Sequence, residues 1–379
     1  MQPYAKAPVF ALRLLMHERA RTLASISGVA FALLLMIMQV GFRNALLDSA
    51  LELLRRLDAD IVVMSKDKRP FLRRDWMPRE RLYQALSAPG VVGVSPVWIA
   101  LMRWTNLETK TLHPIRIIGF DPTKPTFEID AVNELAPQLR RLGTALIDEH
   151  SRGSYGEIGP GKAQVNLKEI EILGTFPLGT DFEVDGSLLV SEDTYFDVTH
   201  WPFNLVELGL VQLAPGAHVE TVVESMRDLM PADVAVHSKE ELIERDREYW
   251  ETGTPVSLIL LVGVMLGFAV GVVICYQILY TEVLDHLAEF ATLKAMGYGD
   301  RFIQLVVVVE ALALSVLGFL PAVVVGWAMV MLLGSMSGLP AGLGWGDALN
   351  ILTLSVGMCS VASLLALRKV RVLDPAELF

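Results

Sequence analysis

Four long apolar runs constrain this chain more than any other feature: Thr22–Phe42, Pro255–Tyr280, Phe302–Leu333 and Leu349–Leu367. A helix needs about 20 apolar residues to cross a bilayer core, so four transmembrane helices are expected. The third run exceeds one span, and tilt, a kink at Pro321 or a protruding end is expected to absorb the excess. The first is too long for a signal-peptide core and lacks a small-residue cleavage site, so it reads as a retained span. Of the 379 residues, 53% are hydrophobic, too many for an ordinary soluble domain, and the excess is concentrated in these runs.

Basic residues in short loops set orientation. Lys6, Arg13, Arg19 and Arg21 precede the first run; Lys294 and Arg301 lie between the second and third; Arg368, Lys369 and Arg371 follow the fourth. The 334–348 loop has no Lys or Arg. Both termini are therefore expected to be cytoplasmic. The expected order is a cytoplasmic amphipathic helix (1–21), a span (22–44), a large external domain (45–253), a span (254–280), a cytoplasmic bridge (281–301), a span (302–333), a short external loop (334–348), a span (349–367) and a cytoplasmic tail (368–379).

The net charge of −11 belongs to the external domain, which holds 34 Asp+Glu against 22 Lys+Arg. That balance argues against a nucleic-acid partner. Cys275 and Cys359 both fall in spans, so no disulfide is expected outside. A segment of this length can bury a core without one.

Within the domain, Ala59–Ser65 reads as a strand, Pro78–Ala88 as a helix and Val91–Trp104 as strand again, a β-α-β pattern. Val206–Leu213, Val219–Leu229 and Asp233–Val236 repeat it, and Lys239–Trp250 forms a helix leading to the second span. Two such units commonly pair into one split β-α-β sheet. Strand-like pieces between them (Ile115–Gly119, Thr144–Ile147, Ile170–Phe176 and Ser187–Val190) are expected to form an inserted β-rich subdomain. The fold class is thus a four-helix membrane protein with a large α+β extracytoplasmic domain.

The 281–301 bridge has internal order. Val283, Leu287, Phe290 and Leu293 recur at helical steps on one face, with Glu282, Asp285 and Glu289 opposite. Gly297 can end that helix and Asp300 can cap the next. A short amphipathic helix between two spans is suited to being pushed from outside the bilayer.

Chemistry-bearing motifs are scarce. Gly156–Lys162 fits the start of a phosphate-binding loop, but Ala163 supplies no hydroxyl for Mg²⁺ and Pro160 removes a backbone donor, so a surface turn is expected. No His or Cys pair has metal-ligand spacing, and Asp148-Glu149-His150 reads as a loop cluster. No catalytic residue and no metal site are expected. In the spans, Gly263, Gly267 and Gly271 form a G-x-x-x-G-x-x-x-G face for close helix packing, within one subunit or between two. Glu310 sits in the third span, where a carboxylate must face protein or water, and Gln39 can hydrogen-bond across helices. The run Lys66–Arg81 carries seven basic and three acidic residues among aromatics; it reads as a solvated loop or a contact surface.

Taken together, these segments resemble the MacB/FtsX-type ABC permeases: one span, an external domain, then three spans. The residues carrying the likeness are Glu289, Leu293-Lys294, Ala295-Met296-Gly297, Glu310-Ala311-Leu312, the basic helix ending Arg21-Thr22-Leu23, and Leu367-Arg368-Lys369 with Asp374-Pro375-Ala376. Met38–Arg43, Arg81–Leu86, Tyr276–Thr281 and Ala291–Tyr298 are similar to the DevC branch, the permease subunit of DevBCA-type exporters. Unlike in MacB itself, no ATP-binding domain is expected to be fused at the N-terminus.

The resemblance implies a non-enzymatic homodimeric permease of the cell inner membrane with a periplasmic domain. It implies a separate ABC ATP-binding subunit that uses ATP and Mg, a membrane-fusion adaptor, a TolC-type outer-membrane channel and contact with membrane lipid. Leu287, Glu289, Phe290, Leu293, Lys294 and Gly297 are the positions it assigns to coupling, and a lipid-like or amphiphilic export substrate is the class it favours. The alternative is an FtsX-like mechanotransmitter that regulates a cell-wall hydrolase and transports nothing.

Overall fold

The computed structural model describes residues 19–370 apart from positions 182, 297, 340 and 341. Most of the expected N-terminal helix 1–21, Gly297 and the Asp374-Pro375-Ala376 motif lie outside the described residues. The first half contains α1 (Arg19–Arg55), β1 (Ile61–Ser65), β2 (Met77–Pro78), α2 (Glu80–Ala85), β3 (Val91–Thr105), β4 (Leu112–Phe120), α3 (Asp130–Leu139), β5 (Thr144–Asp148), β6 (Gly161–Val165) and β7 (Lys168–Phe176). The second contains β8 (Ser187–Ser191), α4 (Glu192–Thr199), β9 (Leu205–Val206), β10 (Leu208–Leu213), α5 (Val219–Leu229), β11 (Val234–Ser238), α6 (Lys239–Thr252), α7 (Pro255–Asp285), α8 (Leu287–Ala295), α9 (Asp300–Ser337) and α10 (Trp345–Val370). Two compact units result: a helical one holding α1 as far as Asn44 with most of α7–α10, and an α/β one holding 45–254 with 334–340.

In the α/β unit the strand order β11-β1-β10-β3 interleaves the two β-α-β units. β10 lies antiparallel between β1 and β3, and β1 lies antiparallel between β10 and β11. Each unit's own strands are thus parallel and one place apart, as a split β-α-β sheet requires. β1 shows why its sequence, Ile-Val-Val-Met-Ser, does not alternate: both of its faces are covered. Ile61 and Val63 face α2 and α5, while Val62 and Met64 face the end of α1 (Leu53, Leu54), Leu57 just beyond it and Leu242 of α6.

The insertion is not a separate subdomain. It grows from the same sheet through the 15-residue β3, which pairs with β10 along its first half and with β4 from Val97 to Thr105. The order continues β4-β8-β5-β7-β6, and β6 returns to β3 at Trp104↔Val165. Six strands therefore close into a ring that leaves no free edge between β6 and β3. Ile115, Ile117, Ile147, Val165, Ile172 and Leu188 share one core cluster with the split sheet. Gly156–Lys162 leads into β6 rather than into a helix, and Lys162 is exposed and paired with Glu169. α6 is capped by Ser238, whose hydroxyl accepts the Glu241 amide at 3.1 Å, with Glu241 three residues along in capping-box position.

Among the described residues, four helices are long and apolar enough to cross a membrane: α1, α7, α9 and α10. α9 has 38 residues and runs unbroken through Pro321, about 57 Å at 1.5 Å per residue. That length exceeds a hydrocarbon core of about 30 Å, so its ends protrude unless it is steeply tilted. α1, 37 residues long, likewise outruns its apolar run and carries its last turns into the core of the α/β unit.

Candidate functional site

α1 is central to the helical unit, and glycines decide how near its neighbours come. A Cβ at Gly263 would meet Gln39 Oε1 at 2.7 Å, one at Gly267 Met36 Cγ at 3.0 Å, and one at Gly271 Ala32 Cβ at 3.2 Å. The predicted glycine face thus packs α7 against α1 within this chain, in antiparallel register, and Gln39 lies over Gly263. α9 approaches α1 by the same device at Gly318 against Val29 and Gly326 against Ile37. These two glycines were not singled out in the sequence, and their eight-residue spacing, two helical turns apart on one face, is the signal that marks them. α10 joins through Met358, beside Gly271, and through Cys359 Sγ, 3.7 Å from Cys275 Sγ.

The bridge between α7 and α9 contains α8. α7 runs four residues past Thr281 and turns at His286, where hydrogen bonding carries across into α8 (Phe290 N to His286 O, 3.0 Å). Phe290 is buried, and Leu293 packs beside it, in a cluster with Val283 of α7, Phe302, Ile303, Val306 and Val307 of α9, and Leu367 of α10. Burying one such phenyl ring stabilises by roughly 1.5–3 kcal/mol. Leu287 is half-buried. The apolar face expected in the sequence therefore holds α8 to its own bundle.

Glu289 is on the outer face with Ala288, Thr292 and Ala295, and its Oε2 lies 3.3 Å from His286 Nδ1. Met296, 63% exposed, continues that face. Sequence patterning missed Met296 as a surface residue because a hydrophobic side chain reads as core. The Lys294 side chain and Gly297 lie outside the described residues.

Glu282 departs from the expected solvent-facing stripe with Asp285 and Glu289. It lies beside Val283 on the inward side of α7 and is only 6% exposed. It faces Glu310 of α9, itself only 2% exposed. Asp285 stays outside and pairs with Arg21 of α1 at 2.7 Å. Three helices thus converge on one charged cluster beside α8.

Asp148, expected in a loop, is the buried last residue of β5. It accepts the His150 and Leu178 amides, each at 3.2 Å, and His150 Nδ1 lies 3.6 Å from it. Its surroundings are those of a turn-capping carboxylate.

Residues 256–375, which contain α8–α10 and all of α7 except Pro255, match the FtsX-like permease C-terminal family. Over 97% of its length the chain is 24% identical to an uncharacterized ABC transporter permease of Mycobacterium tuberculosis, covering 98% of that protein, and the same holds in two strains. The periplasmic region of MacB from Actinobacillus actinomycetemcomitans aligns with 49% of this chain and 91% of its own at 8% identity and a TM-score of 0.37. The extracellular domain of the Gram-positive transporter YknZ aligns with 48% of this chain and 99% of its own, at 12% identity and a TM-score of 0.33.

Proposed function

We propose that this chain is the permease subunit of an ABC-type exporter of the FtsX/MacB kind, with a DevC-like role. In this reading a separate subunit binds and hydrolyses ATP with Mg²⁺ on the cytoplasmic side and pushes α8. A second copy of the chain completes the membrane dimer. The α/β domain lies in the periplasm, where it meets a membrane-fusion adaptor that leads to a TolC-type channel. The cargo class is a lipid-like or amphiphilic molecule.

One observation carries the reading. α8 is gripped on its inner face by α7, α9 and α10, while its outer face, with Glu289 and Met296, is bare. Force on that face passes into three spans at once. The FtsX-like match over the same helices and the permease similarity along the whole chain support it.

The test is co-purification of the full chain from its native membrane, with and without Glu289→Arg and Met296→Asp together. An ATP-binding protein and an adaptor are expected with the parent chain. The double variant should lose about tenfold or more of the ATP-binding protein, as contacts at an interface centre do, with an unchanged melting temperature. Retention of that protein at parent levels would sink the assignment of this face. Recovery of a hydrolase activator without an adaptor would replace export with the mechanotransmitter reading.

A further inference from the structure

The basic run 66–81, which the coupling argument does not use, is folded against the α/β domain by buried charges. Lys68, 1% exposed, donates to Arg73 O at 2.6 Å. Arg245 of α6 donates to Lys68 O at 2.8 Å, and the Phe71 amide donates to the buried Asp246 Oδ1 at 2.8 Å. The segment is a fixed shelf, so Arg73 and Arg74 are presented in place rather than trailing in solvent.

That shelf borders a cavity of about 440 Å³, whose lining includes Arg73, Arg74, Leu101, Trp201, Tyr249 and Trp250. The volume falls in the range of small-molecule sites, about 300–1,000 Å³. The Arg74 guanidinium is held over two indole rings, 3.8 Å from the centroid of Trp201 and 4.4 Å from that of Trp76. Stacking on the two rings restrains the guanidinium and leaves its N–H donors available to a ligand. Neither Arg73 nor Arg74 has a carboxylate within ion-pair distance among the described residues. The third arginine of the lining, Arg116, is already satisfied: it is buried and paired with Asp181 and with Glu183 at 3.0 Å. Glu183, the acidic group in the lining, is thereby engaged. Leu101, 48% exposed on β3, and the rings of Trp201, Tyr249 and Trp250 supply the apolar remainder.

The domain as a whole is strongly acidic, so a cationic, aromatic-walled cavity on it runs against its background. The background matters little at short range, because charges further away than about 8 Å are screened at physiological ionic strength. We propose that this cavity is a binding site for an anionic amphiphile: the acidic headgroup on Arg73 and Arg74, the first part of the apolar tail against Leu101, Trp201, Tyr249 and Trp250. The assignment deepens the export reading and rests on it for the ligand's role as cargo; binding itself requires neither ATP nor a partner subunit.

The test uses the full chain in zwitterionic-lipid nanodiscs, without any partner, and a photoactivatable diazirine fatty acid as probe. Its neutral alcohol analogue serves as the comparison. Peptide mapping should place fatty-acid adducts on 70–76, 99–101, 201 and 249–250, with weak labelling there by the alcohol. Arg73→Gln with Arg74→Gln should cut those adducts about a hundredfold or more, the weight of two charge-assisted contacts. Leu101→Glu at the mouth should cut them as well, without touching an arginine. Unchanged melting temperatures certify the variants. Adducts confined to the apolar helices, equal labelling by the alcohol, or undiminished labelling of the arginine pair would each overturn the site. Loss of the site with ATP-binding partner recovery intact leaves the export reading standing; the reverse result separates them the other way.

Discussion

Replacing Gly326 by alanine tests the bundle most directly. An added Cβ would sit 2.5 Å from Ile37 Cγ2 and 3.2 Å from Ile37 Cβ, where ordinary contact is about 3.4–4 Å. Ile37 cannot move aside cheaply, because a β-branched side chain in a helix has essentially one χ1 well. α1 and α9 must then separate, and overpacking of this kind costs about 1–3 kcal/mol. Alanine also has a higher helix propensity than glycine, by about 1 kcal/mol. Gly357→Ala in α10 cancels that term, since its Cβ would meet nothing within 4 Å. The observable is the difference between the two variants, about 1–3 kcal/mol or roughly a 5- to 150-fold shift in the folding equilibrium. Gly271→Ala should lie between them: its nearest obstacle is the flexible end of Met358, which can swing away. Equilibrium unfolding of the full chain in mixed detergent–SDS micelles reads all three. Equal stability of Gly326→Ala and Gly357→Ala would refute the close α1–α9 register.

Two further outcomes follow from burial. Phe290→Ala should destabilise the full chain by about 3–5 kcal/mol, as large-to-small core changes do, whereas Met296→Ala should be neutral; the same unfolding assay decides, and equal costs would show that α8 is not held by its inner face. In the α/β domain, burial pushes the Glu207 carboxyl from 4.5 up to about 7, although Lys68 and the Ile99 amide, 2.9 Å from its Oε2, oppose the shift. A raised carboxyl keeps its proton in the folded state, so its stabilising contribution is complete below about pH 4.5 and is lost as pH rises through about 7, at most roughly 3 kcal/mol. Asp246, pushed from 3.8 to about 6 by burial, acts in the same direction at lower pH. Melting temperature measured between pH 4.5 and 8 should fall, and Glu207→Gln should remove most of that slope; an unchanged slope would remove Glu207 from the explanation.

How much of this was legible in the sequence depended on range. The apolar runs, the glycine steps at 263, 267 and 271, and the alternation of strand and helix at each end of the α/β domain are local patterns, and local periodicity reports local structure. So are the strand-like pieces at 115–119, 144–147, 170–176 and 187–190, which became β4, β5, β7 and β8. α3 escapes sequence reading because Pro137 interrupts it, α4 because its Thr, Asp and Val residues are weak helix formers, and β6 because its first residues, Gly161-Lys162, read as part of a turn. The apolar steps of the bridge were visible too, but a pattern of buried positions does not say which body buries them. Here α9 and α10 do, which leaves Glu289 and Met296 facing out.

By itself, then, the sequence determined how many apolar helices the chain has, where the α/β domain interrupts them and that a short helix joins the second to the third, because each follows from spacing within one segment. Only the tertiary structure decided which surfaces those segments spend on one another. It set Glu282 against Glu310, closed β6 onto β3, chose α1 as the partner of the glycine face and stacked Arg74 on Trp201. Each of these joins residues far apart along the chain, and such contacts are settled by the joint packing of whole elements, which no window of sequence contains.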